Sequence, residues 1–75
     1  MQIKLRRYRN NIDTFKNHLA RSTGDIKRAI NEYSTSYHIP ILVCYSFANE
    51  ILNTNEYDED IKKLMKFYNI EKVVE

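Results

Sequence analysis

Nine consecutive residues in the middle of this chain, Ile39 to Phe47, carry no charge and almost no polarity. Proline is tolerated at the first position of a helix, so Pro40 marks a helix start, with Ile39 pushed toward an extended conformation before it. The helix it opens runs to about Asn53, and its polar residues Ser46, Asn49, Glu50 and Asn53 make one narrow stripe. A helix that is apolar nearly all round is either buried at the centre of its own fold or set against a partner. Every other segment has to be arranged around this one.

Length limits how that can be done. Seventy-five residues make a single domain. Such a domain buries only about 60–65% of its unfolded surface, and its core is marginal. One glycine and one proline in the whole chain argue against a turn-rich β fold and for helices. The expected class is therefore all-α, a small single-domain bundle of three to four short helices around a central apolar helix at about residues 40–53.

The flanking helices follow from apolar spacing. Leu5, Tyr8, Ile12, Phe15 and Leu19 recur at alternating intervals of three and four residues, one stripe on a helix face. This first helix either runs from about residue 3 or begins near Asn11, behind a basic arm of residues 1–9. The sequence Ser22-Thr23-Gly24-Asp25 breaks it. Ser22 or Thr23 can cap a second helix with Asp25 in its first turn. Ile26, Ala29, Ile30 and Tyr33, with Tyr37 as a further candidate, give that helix its inner face, and Ser34-Thr35-Ser36 ends it. Thr54 or Asn55 can cap a fourth helix with inner residues Ile61, Leu64, Met65 and Tyr68. Asn69 is its stop, and residues 70–75 read as a short tail or a frayed last turn.

Charge is unevenly spread. Residues 1–28 hold eight of the twelve lysines and arginines against two acids, a net of +6, whereas residues 29–61 hold six acids and no base. The overall +2 conceals this split, which bears on partners more than on fold. The acidic run Glu56–Asp60 lacks the glycine and alternating ligands of a calcium loop. It reads as acids at a helix start, with Asp58/Lys62 and Glu59/Lys63 as i,i+4 pairs. The basic cluster Lys4, Arg6, Arg7 and Arg9 has no such rationale, because positive charge at a helix N-terminus opposes the dipole. With Tyr8 inside it, and with Arg21, Lys27 and Arg28 across the next turn, it forms a candidate surface for nucleic acid or an acidic protein.

Catalytic and metal chemistry find little footing. His18, His38 and the lone Cys44 show no metal-ligand spacing, and neither a phosphate-cradling glycine loop nor a nucleophile motif is present. No cofactor, metal or small-molecule substrate is expected. A single cysteine in an apolar run, with no apolar stretch of the about 18–20 residues that span a bilayer, is read as a cytoplasmic, non-membrane protein. The second and third helices invite a helix-turn-helix reading. The third, however, lacks at its N-terminal end the side chains that read base edges. Tyr37, Ile41, Tyr45 and Phe47 form a candidate protein interface, with a homodimer through the third helix as one way to cover it.

Three fragments, Leu5-Arg6-Arg7, Ile12-Asp13-Thr14 and Tyr45-Ser46 with Ala48, resemble strings of the Hha/YmoA family of small helical nucleoid modulators. The resemblance implies a similar size and helix content. The interval between the second and third fragments is longer here, and no residue roles carry over. The leading expectation is a non-catalytic regulatory module whose basic N-terminal surface engages an acidic partner, nucleic acid or a nucleic-acid-handling protein. The alternative is a phage- or plasmid-type inhibitor or adaptor that binds a host protein through its apolar–aromatic or acidic surface.

Overall fold

In the computed structural model, which describes residues 1–22 and 24–75, the apolar segment forms helix α3 (Ile41–Leu52) and the rest of the chain encloses it. Leu42, Val43, Cys44, Tyr45, Phe47 and Ala48 are all buried, residues that together face every direction around a helix. Helix α1 (Ile12–Arg21) covers α3 with Phe15 and Leu19, and α2 (Ile26–Tyr37) with Ala29, Ile30 and Tyr33. Helix α4 (Asp58–Phe67) lays half-buried Ile61, Leu64 and Met65 against it. The all-α bundle around a central apolar helix is what the sequence predicts. The apolar surplus of α3 is taken up inside the chain, which removes the motive for a dimer through this helix.

The centre of the core is aromatic. Phe15 meets Tyr33 edge-on, with ring centroids 4.9 Å apart at 76°, and leans on Phe47 at 6.0 Å. Edge-to-face contact aligns the positive ring edge with the negative face of its neighbour. Tyr33 is fully buried, and its hydroxyl donates to the Asn11 carbonyl at 3.1 Å or shares a proton with Thr14 Oγ1 at 2.6 Å. Thr14 Oγ1 also reaches the Asn11 carbonyl, at 2.9 Å. Two protons thus serve three oxygens, and the Tyr33 hydroxyl is satisfied where α1 begins.

Helix ends are set by local chemistry, with shifts from expectation. Asp25 itself caps α2, accepting from the Arg28 amide at 3.1 Å. Ser22 instead closes α1, its hydroxyl donating to the His18 carbonyl at 3.1 Å. Thr23, the other expected cap, lies outside the described residues. Helix α2 continues past Ser34–Ser36 to Tyr37 and stops at His38, which is left-handed (φ 55°). Pro40 flanks α3 as its N-cap, one residue before the first helical position, and its carbonyl accepts from the amides of Val43 and Cys44. Asn53 and Asn69, both left-handed, terminate α3 and α4, as asparagine does where no glycine is available. Asn69 is the stop the sequence indicates.

The two ends of the chain depart most from expectation. Residues 1–9 are neither helix from residue 3 nor a detached arm, and residues 70–75 are not a frayed tail. Gln2–Lys4 forms strand β1, Leu5–Asn11 a 3-10 helix, and Lys72–Val74 strand β2. The strands pair in parallel, Ile3 opposite Val73, and the Glu71 amide donates to the Met1 carbonyl at 2.7 Å. A parallel pair needs a long crossover, and here the whole helical body supplies it. Ile3, Leu5 and Ile70 are buried by this closure. The radius of gyration, 11.5 Å, agrees with the about 11 Å of a fully folded chain of this length.

Candidate functional site

The pitch of the 3-10 helix decides where the basic residues go. Three residues make one turn, so residues three apart eclipse each other. Leu5, Tyr8 and Asn11 form the inner row, buried or half-buried against the core. Arg6 and Arg9 form a second row. Arg7, with Lys4 at the end of β1 just before the helix, makes a third. All four bases are exposed.

The second row is answered from within the chain. Arg9 holds Glu50 of α3 with both terminal nitrogens, at 2.6 and 3.1 Å. Arg6 and Arg9 share a depression of about 190 Å³ with Glu50, Glu75 and Leu5. The hydrogen bond from Arg9 holds the Glu50 carboxyl below its ordinary range, and the same bond raises Arg9. The third row has no such answer. Lys4 and Arg7, with Tyr8, line a groove of about 470 Å³ completed by Met1, Gln2, Ile3 and Pro40. It contains no acid, and neither base forms an ion pair among the described residues.

At Met1, Ile3 and Pro40 this groove abuts a second one of about 430 Å³. The second is apolar at its floor (Ile39, Ile41, Leu42 and Ile70) and is flanked by Tyr68 and by Asn31, Ser34 and Thr35 of α2. It too is free of acids. Basic and apolar surface therefore adjoin along the first strand.

The remaining basic candidates lie apart from these grooves. Lys27 reaches across to Asp60 at the start of α4, 3.3 Å away, and that hydrogen bond raises its pKa. Arg28 pairs with Glu32 one turn along α2 at 3.1 Å. Arg21 is exposed at the end of α1 and has no ion pair among the described residues. The expected single cluster of Lys4, Arg6, Arg7, Arg9, Arg21, Lys27 and Arg28 is thus divided. Arg9, Lys27 and Arg28 spend their charge inside the chain, where the acidic middle segment meets the basic first third.

The candidate protein interface is divided too. Phe47 is fully buried and Tyr45 nearly so, packed against Tyr57, so neither presents a surface. Burial raises the pKa of both Tyr45 and Tyr57. Tyr37 is 52% exposed and stacks on Tyr33 at 4.3 Å. Ile41 alone of this set lines a groove.

The acidic run is put to internal use. Asp58 accepts from the Asn49 side-chain amide at 3.0 Å and Asp60 pairs with Lys27. Glu59 pairs with Lys62, one position nearer than the expected Lys63, and Asp58 does not pair with Lys62. His18 lies beside Tyr33, its Nε2 within 3.0 Å of the Ala29 carbonyl. Among the described residues no three His, Cys, Asp or Glu side chains converge as metal ligands would. No helix of the described residues is long and apolar enough to cross a membrane.

No family model matches the chain, and no curated protein or solved structure is significantly similar to it. The strings shared with the Hha/YmoA family do not extend to a family match.

Sequence reasoning missed Met1, Gln2, Ile3, Pro40 and Tyr68 as groove residues. The grooves exist because the two ends of the chain pair, and three-residue strands carry too little periodicity to be read.

Proposed function

We propose that this protein is a small non-catalytic binding module whose partner presents negative charge to Lys4 and Arg7. One observation carries the reading. Of two adjacent basic pairs at the start of the chain, Arg6 and Arg9 line a depression with Glu50 and Glu75, whereas Lys4 and Arg7 open on a groove without a single acid. Like charges lining one groove repel, and an anionic partner relieves that repulsion. Half-buried Tyr8 lines the same groove and adds an aromatic surface to it. The alternative of an inhibitor acting through α3 is less favoured because Tyr45 and Phe47 are buried, and in the acidic run Asp58 and Asp60 each bond a side chain of another helix.

The test is binding of labelled polyanions (mixed-sequence DNA, RNA and an acidic peptide) by the protein and by its Lys4→Gln, Arg7→Gln variant. At least one polyanion is expected to bind at low salt, to be released as salt rises, and to be lost on substitution. For duplex DNA the salt slope counts phosphates, about 0.9 log unit per contact. Absence of binding to all three at low salt, or equal binding by the variant, refutes the reading.

A further inference from the structure

Strand β1 is paired on one side only. The sheet has two strands, and the groove that holds Lys4 and Arg7 is bordered by all three residues of β1 and by none of β2. It therefore follows the unpaired edge of β1. Such an edge accepts an extended segment as a further strand, main chain giving affinity and alternate side chains giving specificity.

The alternation within β1 prescribes the rest. Gln2 and Lys4 are exposed while Ile3 between them is buried. Side chains of neighbouring strands on one face stand side by side. An added strand accordingly sets every second residue on the face of Lys4 and the others on the face of Ile3. The first set meets Lys4 and Arg7, with no acid to oppose it; the second meets the apolar wall of Ile3 and Pro40, toward the floor of Ile39 and Ile41.

We infer that the groove docks an extended protein segment in which acidic and apolar residues alternate, added as a third strand along β1. This rests on the reading of Lys4 and Arg7 as partner-facing and narrows it to a protein segment. A nucleic-acid backbone has no use for the apolar end, and Arg9, Lys27 and Arg28, which would widen a phosphate track, are paired within the chain, while Arg21 lies apart at the end of α1.

The probe is a labelled peptide of alternating Glu and Val, compared with a block peptide of the same composition and with an alternating peptide N-methylated at every second amide. The alternating peptide is expected to bind at least about tenfold more tightly than either, and about tenfold less tightly to the Lys4→Glu, Arg7→Glu variant. Amide chemical shifts of Gln2–Lys4 are expected to move on binding, which locates the peptide without any variant. Equal affinity for the block and alternating peptides, or undiminished binding of the N-methylated one, overturns the strand-addition inference and leaves an anion-binding surface. Shifts confined to residues away from β1 overturn it equally. Preference for DNA over the alternating peptide replaces the protein segment with nucleic acid. Loss of all polyanion binding overturns the functional reading itself.

Discussion

The guanidinium of Arg9 clasps the carboxylate of Glu50 with two hydrogen bonds, 2.6 and 3.1 Å long, and ties the 3-10 helix to the last turns of α3. Bidentate pairing of this kind fixes orientation as well as distance. Both side chains are about half exposed, so solvent screening keeps the stabilisation small. Its sign with pH is nonetheless definite. The Glu50 carboxyl is held below its ordinary value, mainly by the hydrogen bond from Arg9. Stability from the pair is present above the unfolded carboxyl's pKa, about 4.3, and is lost as pH falls through the lower folded value. Thermal melts of the wild type and Glu50→Gln are expected to differ by a few degrees at neutral pH and to converge in acid. A gap that persists unchanged at pH 2 contradicts this.

Closure of the chain by its ends is open to a deletion test. Removing residues 72–75 takes away β2, the half-buried Val73 and the cover it gives Ile3. Partial exposure of two aliphatic side chains costs about 1–3 kcal/mol. For a domain of this size that lowers the melting temperature by roughly 5–20 °C. Circular dichroism of the truncated chain reads the shift directly. An unchanged melt shows that the strand pair adds nothing to the fold.

What the sequence disclosed and what it withheld separate along physical lines. The core helices are legible because Phe15, Leu19, Ile30, Tyr33 and the run from Leu42 to Ala48 repeat at helical spacing over many residues. The terminal strands are not legible, since Gln2–Lys4 and Lys72–Val74 are three residues each and find each other across nearly the whole chain. The stripe through Leu5 and Tyr8 identifies the correct inner residues. A three-residue interval, though, is common to the α- and 3-10 helix and cannot tell them apart. That ambiguity mattered for the site, because residues three apart eclipse each other in a 3-10 helix and are only offset neighbours on an α-helix. The charge split is legible as composition, but its main consequence is internal. Arg9–Glu50 and Lys27–Asp60 join segments 41 and 33 residues apart.

The core hydroxyl network offers a graded comparison. Tyr33→Phe removes one hydroxyl and leaves Thr14 to satisfy the Asn11 carbonyl, so its cost is expected to be about 1 kcal/mol. Phe47→Ala opens a cavity beside Phe15 at a fully buried site, which costs about 3–5 kcal/mol. Against a total of about 5–15 kcal/mol, the second change removes a large share of the stability and the first a small one. Urea titrations of the two variants measure both values. A Tyr33→Phe cost equal to that of Phe47→Ala shows that the network, not the ring packing, dominates this part of the core.

Cys44 is fully buried on α3, and desolvation pushes its thiol pKa up to about 12. The thiolate is the reactive form, so at pH 8 the folded protein offers almost none of it. Modification by an aromatic disulfide reagent is expected to be about a thousandfold or more slower than in denaturant, at a rate that follows chain opening. The same burial has a pH signature of opposite direction to that of Glu50. Above about pH 8.5 the unfolded thiol ionises while the folded one does not, which draws the equilibrium toward the unfolded state. Rapid labelling of the native protein at pH 8 contradicts the enclosure of α3.

Two pairs of substitutions separate the charges that hold the fold from those that face outward. Arg9 and Lys27 each bond an acid on another element, while Lys4 and Arg7 bond none among the described residues. Neutralising Lys4 and Arg7 to Gln is expected to abolish anion binding and to leave the melting temperature within about 3 °C of wild type, since exposed unpaired side chains contribute little. Neutralising Arg9 and Lys27 to Gln is expected to lower the melting temperature and to retain binding. Screening adds a second criterion. The loss in the Arg9, Lys27 variant narrows as salt rises from about 20 mM to about 0.5 M, where the Debye length falls to a few ångströms. A binding loss in both variants in proportion to charge removed means that the protein acts through net charge alone. The basic residues are then equivalent, and the groove beside β1 has no special part in recognition.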